Sequence, residues 1–135
     1  MDLVKALQIS ASGLKAQGSR LRVIAENVAN ADSIPQSPGE QPYRRKLATF
    51  ANVMNRALGF ETVEVKDITV DRSDFGREFQ PGHPGADADG YVLTPNVETI
   101  VEMADMREAQ RSYEANLKVI EASRNMLQRA IAILR

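Results

Sequence analysis

The chain has 135 residues, 43% of them hydrophobic and only 5% aromatic, with no Cys, no Trp and a formal net charge of −1. That length suits a single domain. The near-neutral charge gives no basis for contact with nucleic acid or an anionic membrane, and the lack of cysteine excludes a disulfide framework and thiolate chemistry. No apolar run approaches the roughly 18 residues of a membrane span, so no membrane insertion is expected.

The chain opens on Met1-Asp2-Leu3-Val4-Lys5. This lacks a basic stretch followed by an apolar run, so it does not read as a cleavable secretory signal. From residue 2 to 31 apolar side chains recur every seven positions: Leu7, Leu14, Leu21 and Val28. Val4, Ala11, Gly18 and Ala25 form a companion row of mostly small residues. The spacing predicts an amphipathic helix. Ser10, Ser12, Gly13, Gly18 and Ser19 are poor helix formers, so the helix should depend on tertiary or quaternary contacts. Asn27, Asn30 and Asp32 crowd its end, where an Asn is the expected stop.

Ser33 to Pro42 holds three prolines and a glycine and reads as a loop. The basic run Tyr43-Arg44-Arg45-Lys46 is expected to be a solvated cluster or one that forms salt bridges between subunits. Leu47, Phe50, Val53, Met54 and Leu58 step by three and four, which fits a short helix ended by Gly59, although Thr49, Phe50 and Val53 suit a strand equally. Glu61 to Val70 alternates as a strand does, with a slip at Asp67 that suggests a bulge or turn. Gln80 to Gly90 is a second loop, Tyr91 to Leu93 a short strand, and either Thr94 or Asn96 should cap the C-terminal helix.

Val97 to Arg135 contains neither Gly nor Pro. Met106, Tyr113, Ile120, Leu127 and Leu134 are seven apart, and Met103, Gln110, Leu117, Arg124 and Ile131 form a second row. Steps of three and four over about four heptads predict one long helix with a coiled-coil seam. At 1.5 Å per residue it would run roughly 58 Å, longer than a globule of this mass is wide, so it must lie against something. Paired with the N-terminal helix it would form an antiparallel coiled coil. The candidate packing residues are Leu7, Ala11, Leu14, Gly18, Leu21, Ala25 and Val28 against Met106, Tyr113, Leu117, Ile120, Leu127, Ile131 and Leu134. Gly18 is the expected point of close helix approach. The small row limits what such a pair buries by itself, so both helices are expected to need neighbouring chains. The predicted fold is mainly α, with residues 1–32 and 97–135 as a discontinuous coiled-coil domain and 33–96 as a loop and β segment.

Little chemistry is on offer. His83, the sole histidine, stands in a Pro/Gly loop and has no Ser or Cys partner by sequence. No zinc ligand set is present. Asp87-Ala88-Asp89-Gly90 has two acids at calcium-loop spacing, but Tyr91 and Val92 break the pattern, and it reads as a turn. No cofactor, small-molecule substrate or enzymatic activity is expected.

Several stretches carry a resemblance. Ser10-Ala11-Ser12-Gly13-Leu14-Lys15-Ala16-Gln17, Arg20-Leu21 and Asn27-Val28-Ala29-Asn30-Ala31 resemble the N-terminal signature of bacterial flagellar rod and hook proteins. Pro42-Tyr43-Arg44-Arg45-Lys46, Asp87 to Val92, Pro95-Asn96-Val97, Glu102 to Met106 and Arg111 to Asn116 narrow the resemblance to C-type proximal rod subunits of the basal body. The resemblance implies a structural subunit that passes through the flagellar type III export apparatus without a cleaved signal. It implies helical assembly with copies of itself and other rod proteins in the periplasm, terminal helices lining the export channel, and a torque-bearing shaft. The alternatives are another rod subunit of this family, or a soluble coiled-coil adaptor or export chaperone.

Overall fold

A computed structural model of the chain describes residues 2–135. The elements run α1 (Leu3–Ala29), β1 (Lys46–Asn55), β2 (Phe60–Val70), β3 (Gly76–Phe79), β4 (Tyr91–Thr94) and α2 (Thr99–Ile133). Two long helices thus flank a small β middle, as the periodicities predict. The β segment is two separate two-stranded sheets, β1–β2 and β3–β4.

Local chemistry sets the helix ends. Asp2 Oδ1 accepts from the Val4 amide at 3.0 Å and so occupies one of the donors that α1 leaves unpaired. At the other end Asn30 Nδ2 donates to the Glu26 carbonyl at 2.8 Å, and the chain turns. The 35 residues of α2 span roughly 52 Å. The helix starts later than the sequence predicts, and neither Thr94 nor Asn96 caps it. Asn96 is used elsewhere: Oδ1 accepts from the Arg45 amide at 2.8 Å, and Nδ2 donates to the Asp71 carbonyl at 3.0 Å.

Residues 46–55 form a strand, not the short helix that their three-and-four spacing allows. Pairing with β2 decides between the two. Asn55 closes the hairpin, its carbonyl accepting from the Leu58 and Gly59 amides at 3.1 and 2.8 Å. Gly59 there has a φ of 74°, a left-handed conformation that favours glycine. β2 continues through Asp67, where the alternation slips. Residues 66–70 are all exposed, so no buried face enforces a phase there. β3, which has no strand signature, pairs antiparallel with β4 in the register Gly76↔Thr94, Arg77↔Leu93, Glu78↔Val92 and Phe79↔Tyr91. Val92 points inward at 1% exposure, while Phe79 and Tyr91 meet edge to face on the outer side at 5.2 Å.

The chain divides into two compact units. The first comprises α1 up to Leu21, the hairpin segment Ala48–Asp67 and α2 from Arg107 onward. The second comprises Arg22–Leu47 and Ile68–Met106. Their cores differ in kind. Among the described residues, the buried positions of the first unit are Ser10, Ala16, Thr62, Ala109 and Ser123, all small. The second unit buries Val23, Ile24 and Val92 together with two polar side chains, Asn27 and Glu102.

Gly90 ends the β3–β4 loop with a φ of 85°, and a Cβ there would lie 3.0 Å from the Phe79 ring and 3.1 Å from Pro81. Gly90→Ala should therefore destabilise the fold by about 1–2 kcal/mol, read as a lower urea midpoint with an unchanged slope.

Candidate assembly site

The predicted packing residues fall into three groups. Leu7, Leu14, Leu21 and Val28 are half-buried on α1, as are Met106, Ile120 and Leu127 on α2. Ala11 and Ala25 are exposed, and a Cβ built on Gly18 would meet nothing within 4 Å. Tyr113, Leu117, Ile131 and Leu134 are 38, 40, 59 and 87% exposed, and Leu134 lies beyond the last residue of α2.

The row that α2 buries most completely is another one. Glu102, Ala109, Asn116 and Ser123 are seven apart, and all but the half-buried Asn116 are fully buried. This row lies one position before Met103, Gln110, Leu117 and Arg124. A search for large apolar side chains passes over it, because its members are small or polar. In the first unit the close-approach glycine is Gly13, not Gly18: a Cβ on Gly13 would stand 2.9 Å from Asn116 Nδ2. Arg20 also reaches Glu108 in this unit, at 3.5 Å. Small side chains let backbones approach, but each removes little apolar area from water. Gln17 Oε1 is buried without a hydrogen-bond partner.

In the second unit a polar network replaces a large apolar core. Asn27, 1% exposed, uses its whole amide. Oδ1 accepts from the Tyr43 hydroxyl at 2.8 Å and from the Lys46 amide at 2.9 Å. Nδ2 donates to the Lys46 carbonyl at 2.9 Å and to Glu102 Oε2 at 3.1 Å. Glu102, fully buried, also accepts from Arg45 Nε. Arg45 reaches Asp105 at 3.3 Å and Asp71 at 3.5 Å, and Lys46 pairs with Glu26. The network joins the last turns of α1, the basic run and the start of α2. The basic run is therefore an internal tether, not the solvated or intersubunit cluster that the sequence suggests. Arg44 takes part as well, donating to the Asp71 and Ser73 carbonyls at 3.0 Å while its guanidinium stacks 4.1 Å from the Phe75 ring.

The electrostatics follow from this packing. Burial of the Tyr43 phenol, with the negative charges of Glu26 and Glu102 nearby, pushes its pKa up to about 12. Burial works against the charge on Arg45, but the hydrogen bond and charge of Glu102, with Asp71 and Asp105, together outweigh it and raise its pKa further. Amide donation from Ser73, followed by its hydroxyl, holds the Asp71 carboxyl below the usual range.

Elsewhere the acidic turn and the histidine serve the backbone. Asp87 Oδ1 accepts from the Asp89 and Tyr91 amides at 3.0 and 2.9 Å, and His83 Nδ1 accepts from the Gly85 amide at 3.0 Å. Among the described residues no group of three His, Cys, Asp or Glu side chains is placed to hold a metal ion.

Three outcomes test the tether. Glu102→Ala leaves the Arg45 guanidinium without its buried partner and should cost about 3–5 kcal/mol in urea unfolding. Asn27→Asp removes two donors and sets a carboxylate against Glu102, for a loss of about 2–3 kcal/mol. Above pH 10 an unfolded chain releases the Tyr43 proton, whereas the folded chain holds it until about pH 12. Stability should therefore fall across that window, and Tyr43→Phe should flatten the fall.

Comparison with known proteins bears on both regions. The family model described as "Flagella basal body rod protein" matches residues 7–33, and "Flagellar basal body rod FlgEFG protein C-terminal" matches residues 88–133. The chain is 49% identical over 133 residues to the flagellar basal-body rod protein FlgC of Agrobacterium fabrum, covering 98% of this chain and 96% of that one. It is 39% identical over 135 residues to the FlgC of Escherichia coli O6:H1, covering 98% of each. To the FlgC of Bacillus subtilis it is 38% identical over 148 residues, covering 98% of this chain and 99% of that one. With near-complete coverage at these identities, the chain belongs to the FlgC family of flagellar basal-body rod proteins.

Proposed function

We propose that the chain is a structural, non-enzymatic subunit of the flagellar basal-body proximal rod, assembling helically through its terminal helices into part of the drive shaft around the export channel. The observation that carries this is the first unit's core. It buries only small side chains, while α2 leaves Leu117, Met126, Ile131 and Ile133 between 40 and 84% exposed. Such a unit lacks the apolar burial to hold two helices rigid, and copies or relatives would supply it.

In this reading α1 and α2 form an antiparallel coiled coil over residues 1–32 and 97–135, with 33–96 as a middle domain. Gly13 lies beside Asn116, and Arg20 reaches Glu108. Numbers that rise along α1 meet numbers that fall along α2, which favours the antiparallel arrangement. The packing residues then act on two levels: the half-buried leucines within the pair, the exposed members between protomers. The subunit travels through the type III export apparatus and joins other rod proteins in the periplasm. Weak terminal helices suit that route, because they can stay extended during export and become ordered when neighbours cover them.

Imaging of basal bodies from a strain lacking the gene tests the assignment. Rods should be truncated or missing, and complete rods would overturn it. Gly18→Leu fills an open position within the chain and so should fold, yet it should block assembly and abolish swimming. Normal motility would remove Gly18 from the interface.

A further inference from the structure

Gly18 and Leu117 share a pattern. Gly18 is open, and Lys15 and Arg22 stand three positions before it and four after it, both exposed. Leu117 is 40% exposed, and Glu114 and Glu121 stand at the same offsets, both exposed. Positions three and four away are neighbours on a helix surface, so each central residue is flanked by two like charges, and the two flanks have opposite sign. Lys118 is one step from Leu117, about 100° round the helix, and lies outside this patch. Among the described residues, none of the four charged side chains has an ionic partner.

We propose that Leu117 of one copy seats on Gly18 of a second copy, with Lys15 facing Glu121 and Arg22 facing Glu114. This rests on the rod reading and names its partner: another molecule of the same chain. A large side chain enters the gap left by a missing one, as a knob enters a hole. The offsets also fix direction. When the two helices run antiparallel, both charged pairs fall on one side of the contact and meet. When they run parallel, the flanks fall on opposite sides.

Both copies then run in the same direction, and an offset between them along the axis makes the contact heterologous. Within a chain, the Gly13–Asn116 contact places Gly18 opposite about residue 111. Contact with Leu117 of another copy therefore displaces that copy by about six residues along the axis, roughly 9 Å. A heterologous contact with an axial step gives an open helical array, not a closed ring.

The absence of native cysteine makes the test clean. Gly18→Cys and Leu117→Cys versions are expressed together in cells lacking the native gene, and isolated basal bodies are oxidised. A disulfide-linked product of twice the chain mass, containing both versions, is expected, and pairing Ser37→Cys with Leu117→Cys should give none. Rods that contain both versions but yield no such product would overturn the contact, as would linkage of Leu117→Cys to a chain of different mass. A charge exchange reads the same contact without cysteine. Lys15→Glu with Arg22→Glu should abolish swimming, and adding Glu114→Lys with Glu121→Lys should restore it. Swimming unaffected by the first pair, or not recovered with the second, counts against the proposal. These results leave the rod assignment standing, because that falls only if complete rods form without the chain.

Discussion

The structure depends on what the first unit buries. Ser10, Ala16, Thr62, Ala109 and Ser123 allow close approach of α1, the β1–β2 hairpin and α2, but they remove little apolar surface from water. The stretches of α1 and α2 in this unit are not held rigid by buried serines, alanines and one threonine alone. Leu7, Leu14, Ile120 and Leu127 are only half-buried, and Met126 and Ile131 are more than half exposed. In the proposed rod reading, a neighbouring subunit supplies the apolar cover that this unit lacks.

The second unit solves the opposite problem. It holds loops together, and loops carry unpaired backbone groups. Asn27 meets that demand with one amide, satisfying the Lys46 amide and carbonyl while it binds Tyr43 and Glu102. Buried ionic groups are weak contributors to net stability, but they are specific: the tether forms in one arrangement of the helix end, the basic run and the start of α2, and fails in others. One unit is thus defined by internal polar contacts, and the proposed function gives the other external apolar ones.

Much of this is legible in the sequence, and the losses have physical causes. Seven-residue spacing locates both helices, and the proline and glycine clusters locate both loops. The buried row of α2 escapes a hydropathy search because Glu102, Ala109, Asn116 and Ser123 carry no such signal. Gly18 reads as the close-approach position because small residues look alike in a sequence, and only the backbone distinguishes Gly13, pressed on Asn116, from Gly18, open. Residues 47–58 fit helix and strand equally until β2 supplies a partner. Asn27, Arg45 and Glu102 all lie within the stretches that carry the family resemblance, yet no spacing rule links positions so far apart in the chain.

Amide hydrogen exchange on the isolated chain at micromolar concentration tests the central claim most directly. The account predicts an uneven pattern: amides of residues 3–21 and 107–133 should exchange far faster than those around Asn27, Arg45, Val92 and Glu102. Uniform strong protection along both helices in a monomer would contradict it, because the first unit would then need no neighbour.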